Sequence, residues 1–491
     1  MNHRYSTLFR ITRDWGLPPI LGALSALGFA PVHVFPLPII CVALLFISVR
    51  HNPNWAFSRA YLFGLGWFLA GVSWVYISLH DMGQLPAPLA VAATLGFSML
   101  LALFPALAIW LSVRANLGDR WRWLLLAPLL WALMEWLRGW LLTGFPWQAI
   151  GYSQVPWSPL AGYAPILGVY GVSWLAALSA GFLSLGGRVG WTALALLWIA
   201  GYGLQRLEWT HPVGAPVSVS LVQGNISQET KFLPEKLADT LAMYRQKVVD
   251  SDTRLVILPE TALPVFIEEL PDWYLDELAE PMRARGGDLL TGVAEQEPGE
   301  RYFNSMISLG SSPTQRFRKV HLVPFGEFVP FGFRWLVDMM RIPLGDFTRG
   351  EPGQAPMHLS GQKLAVNICY EDVFGEELIH ALPSATLMVN VSNDAWFGDS
   401  LAPWQHLQIG QMRALETGRV WLKVNNTGIT AIVDEKGPIV ARLEPFVRDV
   451  LVGMAQGRQG LTPYAIWGNH AFLAVCAVGL LLTWRRMRRH R

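Results

Sequence analysis

The chain has 491 residues, 52% of them hydrophobic and only 15% charged, with 38 Lys and Arg against 36 Asp and Glu. Soluble domains usually carry about 25% charged residues, so a wholly soluble protein is excluded and part of the chain is assigned to lipid. A net charge of +2 argues against nucleic acid as a partner, although it leaves room for a locally basic face.

Arg4, Arg10 and Arg13 open the chain, and apolar sequence follows. Hydrophobic segments then recur with no mature soluble start between them, so the opening reads as a cytoplasmic lead-in and not a signal peptide. Spans are predicted at about 17–33, 36–49, 57–79, 88–113, 122–142, 163–186 and 190–205, with an eighth at about 466–484. A span needs about 20 apolar residues, so the second and seventh are short. The loops with Arg50 and Arg59, with Arg114, Arg120 and Arg122, and with Arg188 are basic, whereas FAPVHVFP and HDMGQLPAP hold no Lys or Arg. This alternation places the basic loops inside and everything after Leu204 outside, with the tail RRMRRHR returning to the cytoplasm. Glu135 and Arg138, three residues apart in the fifth span, read either as a structural pair or as a headgroup contact. TGFPWQAIGYSQVPW follows them, rich in the aromatics expected at headgroup depth.

The composition changes after a short linker at about 205–216. Strand-like runs (VSVSLVQGNI, RLVILPE, DLLTGVAE, SMISLG, RFRKVHLVP, KLAVNICYE, TLMVNVSND, VWLKVNN, TAIVDEKGPIV, DVLVGMA) alternate with helical patterns at 233–251, 272–285 and 404–418. They predict a layered α/β domain held close to the membrane. The domain organisation expected is a membrane bundle over 1–210, an outer domain over 216–457, and a closing span with a basic tail over 464–491.

Three cysteines are present, and two of them, Cys41 and Cys476, lie in apolar runs where cysteine serves as a small hydrophobe. Cys369 is different. The alternation of Leu364, Val366 and Ile368 predicts a buried strand ending at Cys369, and FGEELIHAL reads as a helix start. A thiol at a strand-to-helix corner meets main-chain N–H groups and a helix dipole, both of which favour thiolate. Glu260 ends RLVILPE and Lys319 ends another strand-like run, so acid, ammonium and thiol can meet at one sheet edge. On spacing alone a joint site and three unrelated strand ends both remain open. No His, Cys and carboxylate grouping has metal-ligand spacing and no Gly-rich phosphate loop appears, so neither a metal nor another cofactor is expected.

Leu258-Pro259-Glu260, Lys319-Val320-His321-Leu322-Val323-Pro324-Phe325-Gly326-Glu327, Ile368-Cys369-Tyr370-Glu371 and Asn393-Asp394-Ala395-Trp396-Phe397-Gly398 resemble the nitrilase superfamily. With a multi-span bundle before this domain and one span after it, the chain resembles that superfamily's membrane-embedded apolipoprotein N-acyltransferases. The resemblance implies an αββα sandwich with a Glu260–Lys319–Cys369 triad. Cys369 would be the nucleophile that takes an acyl group as a thioester, Glu260 the general base, and Lys319 the stabiliser of the oxyanion. Glu327, Tyr370 and Glu371 match further positions the family requires, and Trp396 lies in a matching motif. Phe232 stands where the family usually has Trp. The implied partners are a phospholipid acyl donor such as phosphatidylethanolamine and a lipoprotein whose N-terminal cysteine is diacylglyceryl-modified. The implied setting is a bacterial inner membrane, with a monomeric enzyme whose catalytic domain faces the periplasm. His321 is read as structural, and 331–350 as either a mobile arm or a fixed cover. The competing readings are a tethered amidase that uses water as acceptor, and a transporter or receptor whose outer domain only binds ligand.

Overall fold

The computed structural model describes residues 15–299, 301–329 and 347–489. Arg4, Arg10, Arg13 and most of the candidate cover at 331–350 therefore lie outside the described residues. The chain divides into two compact units. One holds the residues up to Tyr76, Pro86–Leu207 and those from Ile466 on, and the other holds Ile77–Leu85 and Glu208–Ala465.

The first unit is helical: Leu17–Ser25, Pro36–His51, Ala56–Gly71, Ala87–Arg114, Ala127–Arg138, Ala164–Leu185, Gly187–Leu204 and His470–Arg488. Small residues let these helices approach closely. A Cβ on Gly22 would stand 1.9 Å from the Phe63 carbonyl oxygen, and one on Gly66 2.0 Å from that of Pro19. Among the described residues, three helices are long and apolar enough to cross a membrane: Ala87–Arg114, Pro159–Leu185 and His470–Arg488. A fourth is reached if Pro53–Gly71 and Val75–Met82, bent by 60°, count as one span. The other expected spans are shorter helices. Prolines 31, 36 and 38 break the first hairpin, and the fifth is α-helical only over Ala127–Arg138. Glu135 and Arg138 both hold the loop that follows them. Glu135 Oε1 accepts from Trp131 Nε1 at 2.9 Å and from the Ile150 N–H at 3.0 Å, while Arg138 donates to the Phe145 and Trp147 carbonyls.

The second unit carries two large sheets and a short antiparallel pairing of His211–Pro212 with Arg458–Gln459. In the first are β1 (Val217–Gln223), β2 (Leu255–Ile257), β3 (Leu263–Phe266), β4 (Asp288–Glu297), β5 (Arg301–Gly310) and β6 (Arg316–Arg318). The second holds β7 (Met357–Leu359), β8 (Gln362–Ile368), β9 (Leu387–Ser392), β10 (Trp421–Asn425), β11 (Ala431–Val433) and β12 (Ile439–Arg442). Finally β13 (Asp449–Ala455) returns to the first sheet, antiparallel to β1. Strands β1, β2 and β4 are parallel, as are β8, β9 and β10, with antiparallel strands flanking both sets.

Burial on two faces explains why these central strands read as nearly unbroken apolar runs. Val219, Leu221, Ile257 and Leu290 of one sheet share a core with Leu364, Val366, Ile368, Val389 and Val424 of the other. The opposite face of the first sheet packs on α1 (Pro234–Asp250) and α2 (Asp272–Ala284), through Tyr244, Val248, Leu278 and Met282. The opposite face of the second packs on α3 (Ala402–Thr417), through Leu407 and Ala414. Those three helices lie where the 3.6-residue patterns put them. FGEELIHAL does not continue as expected: its α-helix is confined to Gly375–Leu378.

Candidate active site

From the end of β2, Leu258 and Pro259 carry the chain to Glu260 in a corner resting on β4. A Cβ at Gly292 would meet the Thr261 nitrogen at 2.4 Å and the Pro259 carbonyl at 2.5 Å, so this approach requires glycine. Thr261 closes the corner with φ +50°, a strained conformation for a β-branched residue.

Strand β6 is antiparallel to β5, as β4 is, so β6 ends at the same edge as β4 and β2. Lys319, the next residue, thereby reaches Glu260. Its Nζ lies 3.3 Å from Glu260 Oε1 and 2.8 Å from Glu327 Oε1. Asn304 on β5 donates through Nδ2 to the same two oxygens, at 2.8 and 3.0 Å. Glu327 Oε2 accepts the Val323 N–H at 2.8 Å. Burial of Lys319 opposes its charge, but Glu327 and Glu260 outweigh burial and hold the ammonium's pKa above its ordinary value. It is a fixed positive charge.

Cys369 follows β8 with φ +53°. Strict alternation would send its side chain away from Ile368's face; the left-handed residue breaks the alternation, and Cys369 packs against the core between the sheets. Asn390 on β9 donates to the Cys369 carbonyl at 3.0 Å. Glu371 braces both chain segments: Oε2 accepts the Ile368 N–H at 2.6 Å, while Oε1 accepts those of Val320 at 2.6 Å and His321 at 3.1 Å. Burial pushes the Glu371 carboxyl up to about 7 even with those three donors opposing it.

The expectation of a helix dipole behind Cys369 is corrected. Cys369–Val373 is a 3₁₀ turn, the α-helix beyond it has four residues, and Glu371 takes the nearby N–H groups. Burial and then the Glu260 charge raise the thiol's pKa well above its ordinary value, with Lys319 opposing them. Burial and the Glu260 charge thus favour the neutral thiol.

Behind the thiol lies a second charged cluster that the sequence did not single out. His406 on α3 has Nε2 2.9 Å from Asp372 Oδ1 and Nδ1 3.0 Å from Asp394 Oδ1. Lys423 on β10 reaches Asp372 Oδ2 at 3.2 Å and Asn390 Oδ1 at 2.8 Å. Both imidazole nitrogens face carboxylate oxygens, so both carry protons and the ring is cationic. Burial lowers its pKa, but Asp372 and Asp394 outweigh burial and bring it to about 9. The folded value exceeds the ordinary imidazole value of about 6.5, so this stabilisation is complete below about pH 6.5 and is lost as pH rises through about 9. Wild-type unfolding temperature is expected to fall between pH 7 and 10. Losing the cation would cost on the order of 3 kcal/mol, and His406→Gln should flatten that part of the profile.

Tyr370 is buried, with its ring edge-on to Phe374 at 5.3 Å. His321 stacks on Phe374 at 3.6 Å and contacts Glu377 Oε1 at 3.0 Å, in keeping with a structural role. Trp396 is 36% exposed and its carbonyl accepts from Ser78 Oγ at 2.8 Å. Phe232 is 58% exposed. Next to it stands Lys231, buried and donating to the Glu260 carbonyl at 3.3 Å. Sequence reasoning missed Lys231 and Asn304, because a buried polar side chain has no periodic signature.

Residues 218–460 match the carbon-nitrogen hydrolase family model. The second unit is thus a nitrilase-like domain, a class of enzyme, preceded by a helical region. That region matches the apolipoprotein N-acyltransferase N-terminal domain over residues 21–182. The apolipoprotein N-acyltransferase of Nitrosomonas europaea is 50% identical over 94% of this chain and 95% of its own length. Its counterpart from Chromobacterium violaceum is 45% identical over 96% of this chain and 94% of its own. The chain belongs to the apolipoprotein N-acyltransferase family.

Proposed function

We propose that the protein transfers an acyl chain from a membrane phospholipid to the N-terminal amine of a diacylglyceryl-modified lipoprotein, through a thioester on Cys369. The supporting observation is the cluster of Glu260, Lys319 and Glu327, set within electrostatic reach of the Cys369 thiol. In the first half-reaction Glu260 takes the thiol proton as sulfur attacks the ester carbonyl. Lys319 neutralises the oxyanion, and the lysophospholipid leaves with the proton from Glu260. In the second, the neutral amine attacks the thioester and Glu260 accepts its proton. The thiolate is expelled and takes that proton back. A thioester suits this half because amines attack it readily and thiolate is a good leaving group.

The triad, with Glu371 and Tyr370 supporting it and Phe232 and Trp396 near the acyl groups, remains part of this proposal. So does the finer architecture: an αββα sandwich over 216–457, a bundle over 1–210, and an eighth span with a cytoplasmic tail over 464–491. Loop charge orients the catalytic domain to the periplasmic side of the inner membrane. Phosphatidylethanolamine is the proposed donor and a monomer the proposed state. Both substrates carry long chains whose extraction from lipid would cost about 0.8 kcal/mol per CH₂, which is why this chemistry calls for a membrane-embedded enzyme.

Wild-type protein mixed with phospholipid alone should carry one acyl mass on the Cys369 peptide, discharged by a diacylglyceryl-cysteine peptide to give an amide. Release of free fatty acid without amide would instead support the amidase reading.

A further inference from the structure

The two carboxylates at the Cys369 site share one ammonium through direct contacts, that of Lys319. With both ionised, this group of three carries a net negative charge beside the sulfur that must lose a proton. Lys231 supplies the missing cation. It is 2% exposed, on the loop after β1. Among the described residues its Nζ has one hydrogen-bond acceptor, the Glu260 carbonyl at 3.3 Å, and no carboxylate within ion-pair distance. The Phe232 ring lies 5.9 Å away. Two of its three N–H bonds therefore have no acceptor among the described residues. Burying an ammonium without an ion pair is costly, which singles this lysine out.

Resting on the acyl-transfer reading above, we propose that Lys231 is a positioning residue: it holds the main chain of Glu260 and supplies the positive charge that keeps the site neutral while Cys369 is a thiolate. With Lys231 counted, two carboxylates face two ammoniums, and moving the proton from sulfur to Glu260 leaves the sum at zero. The charge responds to its surroundings: burial lowers its pKa to about 8, with Glu260 and Cys369 opposing. The groups facing Cys369 are Glu260 beyond β2, Lys319 and Glu327 beyond β6, Lys231 beyond β1, and Asp394 beyond β9, whose own charge is paired with His406 and so stays out of that sum.

The test is the pH profile of Cys369 alkylation by iodoacetamide, read on its own peptide by mass spectrometry, together with the rate of thioester formation from phospholipid. Lys231→Met should shift the part of the profile below about pH 8, where the Lys231 ammonium is charged, up by at least about one pH unit, which there is about a tenfold loss of thiolate. Thioester formation should slow in proportion, with the KM for phospholipid unchanged. Lys231→Gln can still donate to the Glu260 carbonyl but carries no charge, so it should show the same shift even if Lys231→Met fails to fold. An unshifted profile in a folded Lys231→Gln protein would overturn the proposal. If wild-type protein forms no thioester, the acyl-transfer reading fails; if it does and only the Lys231 variants behave as wild type, this inference alone fails.

Discussion

Replacing Cys369 with alanine is expected to abolish acyl transfer, by at least about a thousandfold, while leaving the fold intact. The expectation rests on how little the thiol does for stability. Cys369 is partly exposed, lies at the margin of the core, and is held through its main-chain carbonyl by Asn390 and through the preceding N–H by Glu371. Alanine keeps those main-chain bonds, so the stability change should stay within about 1 kcal/mol. Alanine also removes the only atom that can form the thioester. A folded Cys369→Ala protein that still amidates a diacylglyceryl peptide at the wild-type rate would end the covalent mechanism.

Lys319→Met should damage both stability and activity, for separable reasons. Removing the ammonium leaves Glu260 and Glu327 bridged by Asn304 alone. Breaking a buried ion pair from one side typically costs about 3–5 kcal/mol. The two carboxylates would relieve their repulsion by sharing a proton. A folded state that binds an extra proton gains stability as pH falls, so the deficit should be larger at pH 8 than at pH 5. Adding Glu327→Gln should restore part of the unfolding temperature. It should not restore transfer, because the oxyanion would still lack its countercharge; losing one such stabiliser costs about a hundredfold or more. Recovery of activity along with stability in the double variant would show that Lys319 acts only as a structural cation.

The periodic features of the chain were legible without coordinates. Leu364, Val366 and Ile368 alternate because β8 packs one face on the other sheet, and α1, α2 and α3 lie where a 3.6-residue pattern puts apolar side chains on one side. Motif residues were legible by resemblance, and Glu260, Lys319 and Glu327 do meet. The state of the thiol was not. A cysteine after a strand suggested a helix dipole and a thiolate, whereas the chain makes a 3₁₀ turn whose neighbouring N–H groups Glu371 occupies.

What the sequence determined by itself was what local repetition carries: long apolar runs that form helices, and strands and helices whose faces match a core. Tertiary structure decided the electrostatics. Lys231, Asn304, His406 and Lys423 look along the chain like any solvated polar residue. Their polar groups matter because folding removes water from around them and brings in partners 12 to 51 positions away, and no local pattern encodes that burial.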